Sequence, residues 1–148
     1  MPRQPRRRIL HGTFHVTSRG VARSALYRDD DDYRLFLVLL RDAVDRWAWN
    51  VHAFCLMPNH FHVVVDTTTP RLSAGLHRVN GIYAQSFNAR YERSGHLFGD
   101  RFHAKLIRDE THLIAACRYV LDNPVRAGLA RTAADWPWSA SQFGVETG

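Results

Sequence analysis

The segment that most constrains the fold is a short run near the middle of the chain, Met57-Pro58-Asn59-His60-Phe61-His62-Val63-Val64-Val65. Proline and asparagine at its start are turn residues, and the aromatic and β-branched residues that follow favour a packed strand. Because side chains alternate along a strand, His60 and His62 lie on one face and Phe61 and Val63 on the other. Two imidazoles on one face can hold a divalent metal, but two hydrogen-bonded histidines without a metal give the same pattern.

The length and hydrophobicity indicate one soluble domain. The chain has 148 residues, of which 45% are hydrophobic, and this is enough for a single core. We predict an arm over residues 1–8 and one domain over residues 9–148. No apolar run reaches membrane-spanning length, and no apolar region follows the arginine-rich start. We therefore expect neither a signal peptide nor a membrane helix, and a cytoplasmic protein. Cys55 and Cys117 have no Cys-x-x-Cys spacing and are expected to be buried thiols.

The charge of the chain points towards nucleic acid. The net charge is +6 and the isoelectric point is about 10.0, with 20 basic against 14 acidic residues. Lys105 is the one lysine, and the planar guanidinium of the arginines suits phosphate contacts. Arg6, Arg7 and Arg8 lie in the arm, which either contacts phosphates or is a solvated tail. Charge alone does not separate a nucleic-acid-binding protein from an ordinary basic one.

The periodicities predict seven elements in the order strand, helix, strand, strand, helix, strand, helix. An acidic run, Asp29 to Asp32, is interpreted as a helix start rather than a metal site, because carboxylates stabilise the first turn. The predicted bounds are a strand His11–Arg19, a helix ending near Trp47, strands Trp49–Leu56 and His60–Asp66, a helix bearing the stripe Leu72 to Tyr91, a strand Arg101–Arg108 with one apolar face, and a helix Thr111–Asn123 stopped by Pro124. Trp136-Pro137-Trp138 is expected to pack on the core.

This order predicts an α+β, ferredoxin-like (split βαβ) fold. We expect an antiparallel sheet with the helices packed on one face, and the first and third strands as central neighbours.

The last predicted helix carries a tyrosine that faces away from its apolar side. At about 100° per residue, Tyr119 points roughly opposite the stripe formed by Leu113, Cys117 and Val120. Asn123, four residues on, lies about 40° from Tyr119. The tyrosine is either functional or an ordinary amphipathic surface residue.

Several blocks, in their order and spacing, match a known family. They are His15-Val16-Thr17-Ser18-Arg19-Gly20, Met57-Pro58-Asn59-His60-Phe61-His62, Gly95-His96-Leu97-Phe98 followed by Arg101-Phe102, and Arg118-Tyr119-Val120-Leu121-Asp122-Asn123-Pro124-Val125-Arg126-Ala127-Gly128. The chain resembles the IS200-like transposases, which are single-tyrosine HUH endonucleases, and within them the branch associated with repetitive extragenic palindromes (REP).

The resemblance implies roles for individual residues. Tyr119 matches the nucleophile, His60 and His62 match the two metal-binding histidines, and Asn123 matches a third polar ligand that is glutamine in some relatives. Asp100 stands where glycine or glutamate is expected, which bears on DNA contact. The residues expected to contact DNA are Arg6, Arg7, Arg8, Arg19, Arg101 and Lys105.

The implied reaction is cleavage of single-stranded, hairpin DNA through a 5′-phosphotyrosine, assisted by Mg²⁺ or Mn²⁺. Such a protein would be associated with the nucleoid, and a homodimer is left open.

Two other functions remain open at this stage. A domesticated relative could hold nucleic acid hairpins without cutting them. An unrelated histidine-metal hydrolase would need a carboxylate near the histidines, for which Asp66 is the nearest in sequence.

Overall fold

The computed structural model describes residues 10–141, so the predicted basic arm with Arg6, Arg7 and Arg8 lies outside the described residues. The elements are β1 (His11–Arg19), α1 (Asp30–Trp47), β2 (Asn50–Met57), β3 (His60–Thr68), α2 (Thr69–Arg90), β4 (His103–Leu106), α3 (Glu110–Arg126) and β5 (Ser139–Ser141), with short 3₁₀ turns at Val21–Arg23 and Ala133–Asp135. The α+β class and the order of the seven predicted elements are confirmed.

The strands form one antiparallel sheet in the order β4-β1-β3-β2-β5. β1 and β3 are central neighbours, as the ferredoxin-like pattern predicts, with Val16 opposite Val63 and Thr17 opposite His62. β5 extends the sheet beyond β2 and was not predicted. Its residues are serine and alanine, which carry no strand signal of their own.

The helices cover both faces of the sheet, so the prediction that they pack on one face is wrong. α1 and α2 cover the face that carries Phe61, Val63 and Val65. α3 packs on the opposite face, where Val64 meets residues of the helix such as Val120. The physical reason lies in the sequence of β3. Three successive valines bury side chains on both sides of the strand, and each side needs its own cover.

The acidic run begins α1 as predicted, and a side chain also caps each of the other two α-helices. The Asp29 carboxylate accepts a hydrogen bond from the backbone N–H of Asp32 at 3.0 Å, and Thr68 caps α2, with proline in its first turn. Asp109 caps α3 by accepting from the backbone N–H of His112 at 2.8 Å. Each cap satisfies a backbone N–H that has no partner inside the helix.

Pro124 does not end α3, which continues to Arg126. A proline costs one hydrogen bond to the preceding turn. Here it falls in the last turn, and the backbone N–H groups of Leu129 and Ala130 both donate to the carbonyl of Pro124 itself. The chain therefore keeps one further turn beyond the predicted stop.

β4 is shorter than predicted, and its apolar side is not buried. All four of its residues are exposed, including Leu106 at 47%, because this edge strand lies beside β1 with no helix over it.

The predictions for the C-terminal tryptophans and for the cysteines are confirmed. Trp136 donates its indole N–H to the carbonyl of Leu56 at 2.9 Å, Trp138 stacks on Tyr33, and both cysteines are buried and free. Within residues 10–141, no helix is both long and apolar enough to cross a bilayer.

Candidate active site

A cleft of about 570 Å³ opens on the α3 side of the sheet. Its floor is formed by β1 and β3, and its walls by the turn after β1, by the loop before β4 and by Tyr119 of α3. The lining residues are His15, Thr17, Ser18, Arg19, Gly20, Ala22, Arg23, His60, His62, Gly99, Asp100, Arg101, His103 and Tyr119. Elements that are far apart in sequence thus bring imidazoles, guanidinium groups and one phenol to a single cavity.

The two histidines of β3 each have one ring nitrogen occupied by a neighbour. His60 Nδ1 lies 2.7 Å from the side-chain oxygen of Asn59, which accepts the proton of that nitrogen. His62 Nδ1 lies 2.9 Å from His15 Nε2. If His62 donates there, both histidines of the pair keep an unprotonated Nε2. Holding the other ring nitrogen in this way is how proteins orient metal-binding histidines.

His15 is a member of the site that the sequence did not single out. It lies on β1, and its ring centroid is 5.1 Å from that of His62 and 6.1 Å from that of Tyr119. Two signals in the sequence could have found it. Strand alternation places His15 opposite the buried face of Phe14 and Val16, and the predicted pairing of the first and third strands puts that face beside the β3 histidines.

Burial keeps these imidazoles neutral. Burial is the main cause that lowers the pKa of His62 to about 3, and its electrostatic interactions with His15, His60, Arg126 and Arg19 act in the same direction. Burial and Arg19 lower the pKa of His60. Burial and then Lys105 and His112 lower the pKa of His15. A neutral imidazole retains the lone pair that a metal requires, so the donor chemistry of the pair fits a divalent cation.

Tyr119 faces the cleft from α3. Its side chain is 52% exposed, and its ring is edge-on to His62 at a centroid distance of 6.0 Å. The other four tyrosines are held elsewhere. Tyr83 is 1% exposed and donates its hydroxyl to the carbonyl of Leu26, and Tyr91 donates to Asp32. Tyr27 and Tyr33 are buried and stack on each other.

The comparison with protein families agrees with this arrangement. The family described as "Transposase IS200 like" matches residues 9–123, which is most of the chain. The chain belongs to the IS200-like transposase family. It is also 27% identical over 112 residues to a protein of Haemophilus influenzae whose name assigns it provisionally to the REP-associated tyrosine transposases. That match covers 68% of this chain, and the chain spans 63% of the length of that relative.

Two solved structures share the fold of this chain. A REP-associated tyrosine transposase bound to a REP hairpin superposes with a TM-score of 0.75 at 19% identity, over 93% of this chain and 82% of that one. A protein from Deinococcus radiodurans R1, named provisionally as a transposase, gives a TM-score of 0.53 at 15% identity, over 80% of this chain and 95% of that one. At these identities the likeness concerns the fold.

The remaining candidate residues lie in different places. Arg19 and Arg101 line the cleft with the histidines and Tyr119, whereas Lys105 lies on the exposed β4 and does not line it. Asp66, considered above for a hydrolase, lies near the far end of β3 and pairs with His11 at 3.2 Å. The structure therefore does not bring it to the histidine pair.

Asn123 lies one turn after Tyr119 and is half-buried, but it is not part of the cleft lining. Its side-chain nitrogen is buried with no hydrogen-bond partner among the described residues. Between residues 10 and 141, no three His, Cys, Asp or Glu side chains form a group that could hold a metal ion. A metal here would draw on the two histidines and on ligands of other kinds, such as an amide, water or a phosphate oxygen.

Proposed function

We propose that this IS200-like transposase cleaves and rejoins single-stranded DNA at a hairpin, through a covalent 5′-phosphotyrosine on Tyr119. The observation that carries the proposal is the position of Tyr119, which is the exposed tyrosine and shares one cleft with the two neutral histidines of β3 and with three arginines. The hairpin is proposed as the substrate because the REP-associated neighbour of the same fold is bound to one.

The proposed reaction is a transesterification. The phenol oxygen of Tyr119 bonds to phosphorus as the bond from phosphorus to the 3′-oxygen breaks. The phenol loses its proton to solvent and the leaving 3′-oxygen gains one, so no net proton or electron is consumed. The phosphodiester is conserved as a tyrosyl ester. A 3′-hydroxyl of another strand can attack this ester and release Tyr119, which would join strands without a nucleotide cofactor.

His60 and His62 would hold the divalent cation, Mg²⁺ or Mn²⁺, with Asn123 as the proposed third protein ligand. When bound, the metal would polarise the phosphate and offset the charge that develops on it. Imidazole ligands favour Mn²⁺ over Mg²⁺, which prefers oxygen. Arg19 and Arg101 would hold the adjoining phosphates, since guanidinium groups make paired hydrogen bonds with phosphate oxygens.

The test is a denaturing-gel assay with Mn²⁺ and a pool of single-stranded oligonucleotides that contain a palindrome and randomised flanks. The parent protein is expected to form an SDS-resistant adduct with the DNA, and Tyr119→Phe to form none while still binding in a native gel. Tyr33→Phe is the matched control, because it removes a tyrosine hydroxyl outside the cleft. An adduct that survives Tyr119→Phe would rule out the assignment.

A second candidate function is binding without cleavage, because the arginines that line the cleft can hold phosphates whether or not Tyr119 reacts. A protein that holds hairpins without cutting them needs the basic cleft but no metal. It would give a native-gel complex with every hairpin it binds and no adduct in Mn²⁺ or Mg²⁺.

A further inference from the structure

Arg126, in the last turn of α3, contacts the ring of Tyr119. Its guanidinium carbon lies 4.0 Å from the centroid of the phenol ring, which is within the range of a cation–π contact. Its Nη2 also donates to the backbone carbonyl of Tyr119 at 2.8 Å. The same side chain is thus fixed at two points, one on the backbone of the tyrosine and one on its ring.

The helix geometry explains why these two residues meet. Seven residues at about 100° each fall about 20° short of two full turns, so both side chains leave the same side of α3. Long side chains in a helix lean towards its N-terminus, which carries the guanidinium back over Tyr119. The contact depends on the continuation of α3 through Pro124, because a helix that ended at Asn123 would not hold Arg126 on the same side as Tyr119.

The contact defines one side of a phenol that is otherwise half exposed. The guanidinium covers a face of the ring, while His15 and His62 approach it edge-on at 67° and 82°. A tyrosine side chain on a helix surface samples several rotamers when nothing packs on it. Among these three neighbours of the Tyr119 ring, Arg126 is the one that lies on the same helix as the tyrosine. It therefore moves with the same backbone.

We propose that Arg126 is a positioning residue for Tyr119, holding the phenol ring towards the histidine pair by stacking on its face. The expected effect on catalysis rests on the proposed function, whereas the orientation of the ring does not depend on it. A correctly placed nucleophile reacts faster because less freedom is lost on the way to the transition state. Arg126→Met, which keeps an unbranched side chain without the cation, is expected to slow single-turnover adduct formation about three- to tenfold.

The experiment combines a spectroscopic and a kinetic measurement. The protein is prepared with 3-fluorotyrosine, and its ¹⁹F spectrum is recorded without DNA or metal, with the Tyr119 resonance assigned from Tyr119→Phe. Arg126→Met is expected to shift that resonance and leave the other four unchanged. Arg126→Lys, which keeps the charge but not the planar group, is expected to recover part of the adduct rate. Arg131→Met removes the same charge beyond the helix and serves as the control.

The outcomes separate this proposal from the proposed function. A Tyr119 resonance that is unchanged in Arg126→Met overturns the positioning role, whatever the nuclease activity. A shifted resonance with an unchanged adduct rate also overturns it. If the rate falls only because the dissociation constant for the hairpin rises, Arg126 is a DNA contact and the positioning role is wrong. If the parent forms no adduct, the proposed function fails and the catalytic role of Arg126 fails with it, while an unchanged ¹⁹F resonance in Arg126→Met would still overturn the claim that Arg126 sets the ring.

Discussion

The two faces of β3 carry opposite kinds of chemistry on one strand. Phe61, Val63 and Val65 point under α1 and α2, where they are sealed in the larger core. His60 and His62 point to the other face, where α3 covers part of the sheet and leaves the cleft open beside it. The buried face stabilises the strand, and the partly covered face presents the two histidines to the cleft. The residues that support the site are therefore buried on the side that solvent does not reach.

The largest expected effect is on the sealed face. Phe61 packs against Phe36 with a centroid distance of 4.8 Å, so Phe61→Ala is expected to lower the free energy of unfolding by about 3–5 kcal/mol. His60→Ala, one residue away on the cleft face, is expected to cost about 1 kcal/mol or less. Urea denaturation of both variants measures the difference. Equal losses of unfolding free energy in the two variants would show that the sealed face does not contribute more to stability than the cleft face.

Of the two faces of β3, the cleft face should contribute the pH dependence of stability, because the residues on the sealed face carry no ionisable groups. The pKa of His62 is about 3 in the folded protein against about 6.5 in an unfolded chain. Between these values the unfolded state binds more protons, so the free energy of unfolding falls as the pH drops below about 6.5. From pH 6.5 to pH 5 this amounts to about 2 kcal/mol.

The measurement is urea denaturation of metal-free protein at pH 7, 6 and 5, for the parent and for His62→Asn. The free energy of unfolding of the variant is expected to fall less steeply as the pH drops. The variant should take up close to one proton fewer on unfolding, because one titrating group has been removed. Parallel curves for the two proteins would show that His62 is not protonated on unfolding in this range.

The smallest effect in this series tests the support of the histidine pair. His15→Phe keeps a flat ring but removes the nitrogen that lies 2.9 Å from His62 Nδ1. We expect the Mn²⁺ concentration for half-maximal adduct formation to rise about tenfold, as for the loss of other partners of metal-binding histidines. His11→Phe, at the opposite end of β1, is the control and should leave that concentration unchanged. An unchanged value for His15→Phe would show that the hydrogen bond does not orient His62.

The sequence predicts well those features that depend on neighbours along the chain. Alternation gives the faces of β1 and β3, the acidic run gives the start of α1, and the helical period places Tyr119 away from the core. Each depends on residues within a few positions of one another, where the geometry of the element alone decides the outcome.

Several features that depend on how the elements pack, or on residues beyond the end of an element, were missed. Periodicity shows that α3 has an apolar side but not which face of the sheet it covers, and this decides whether Tyr119 can reach the histidines. His15 becomes part of the site only through the pairing of β1 with β3, since His62 is 47 residues away. Pro124 marks a helix end in most sequences, but hydrogen bonds from Leu129 and Ala130 to its carbonyl support one more turn here.

The measurement that tests the central claim most directly is the position of the covalent bond. The adduct is formed with a hairpin pool labelled at either end, digested with trypsin, and the DNA-linked peptide is identified by mass spectrometry. Cleavage after Arg118 and Arg126 isolates residues 119–126, a peptide with one tyrosine. This peptide is expected to carry the DNA through a 5′-phosphate, so that the 3′-label stays with the protein and the 5′-label is released. DNA attached to a peptide that contains Tyr27, Tyr33, Tyr83 or Tyr91, or retention of the 5′-label, would contradict it.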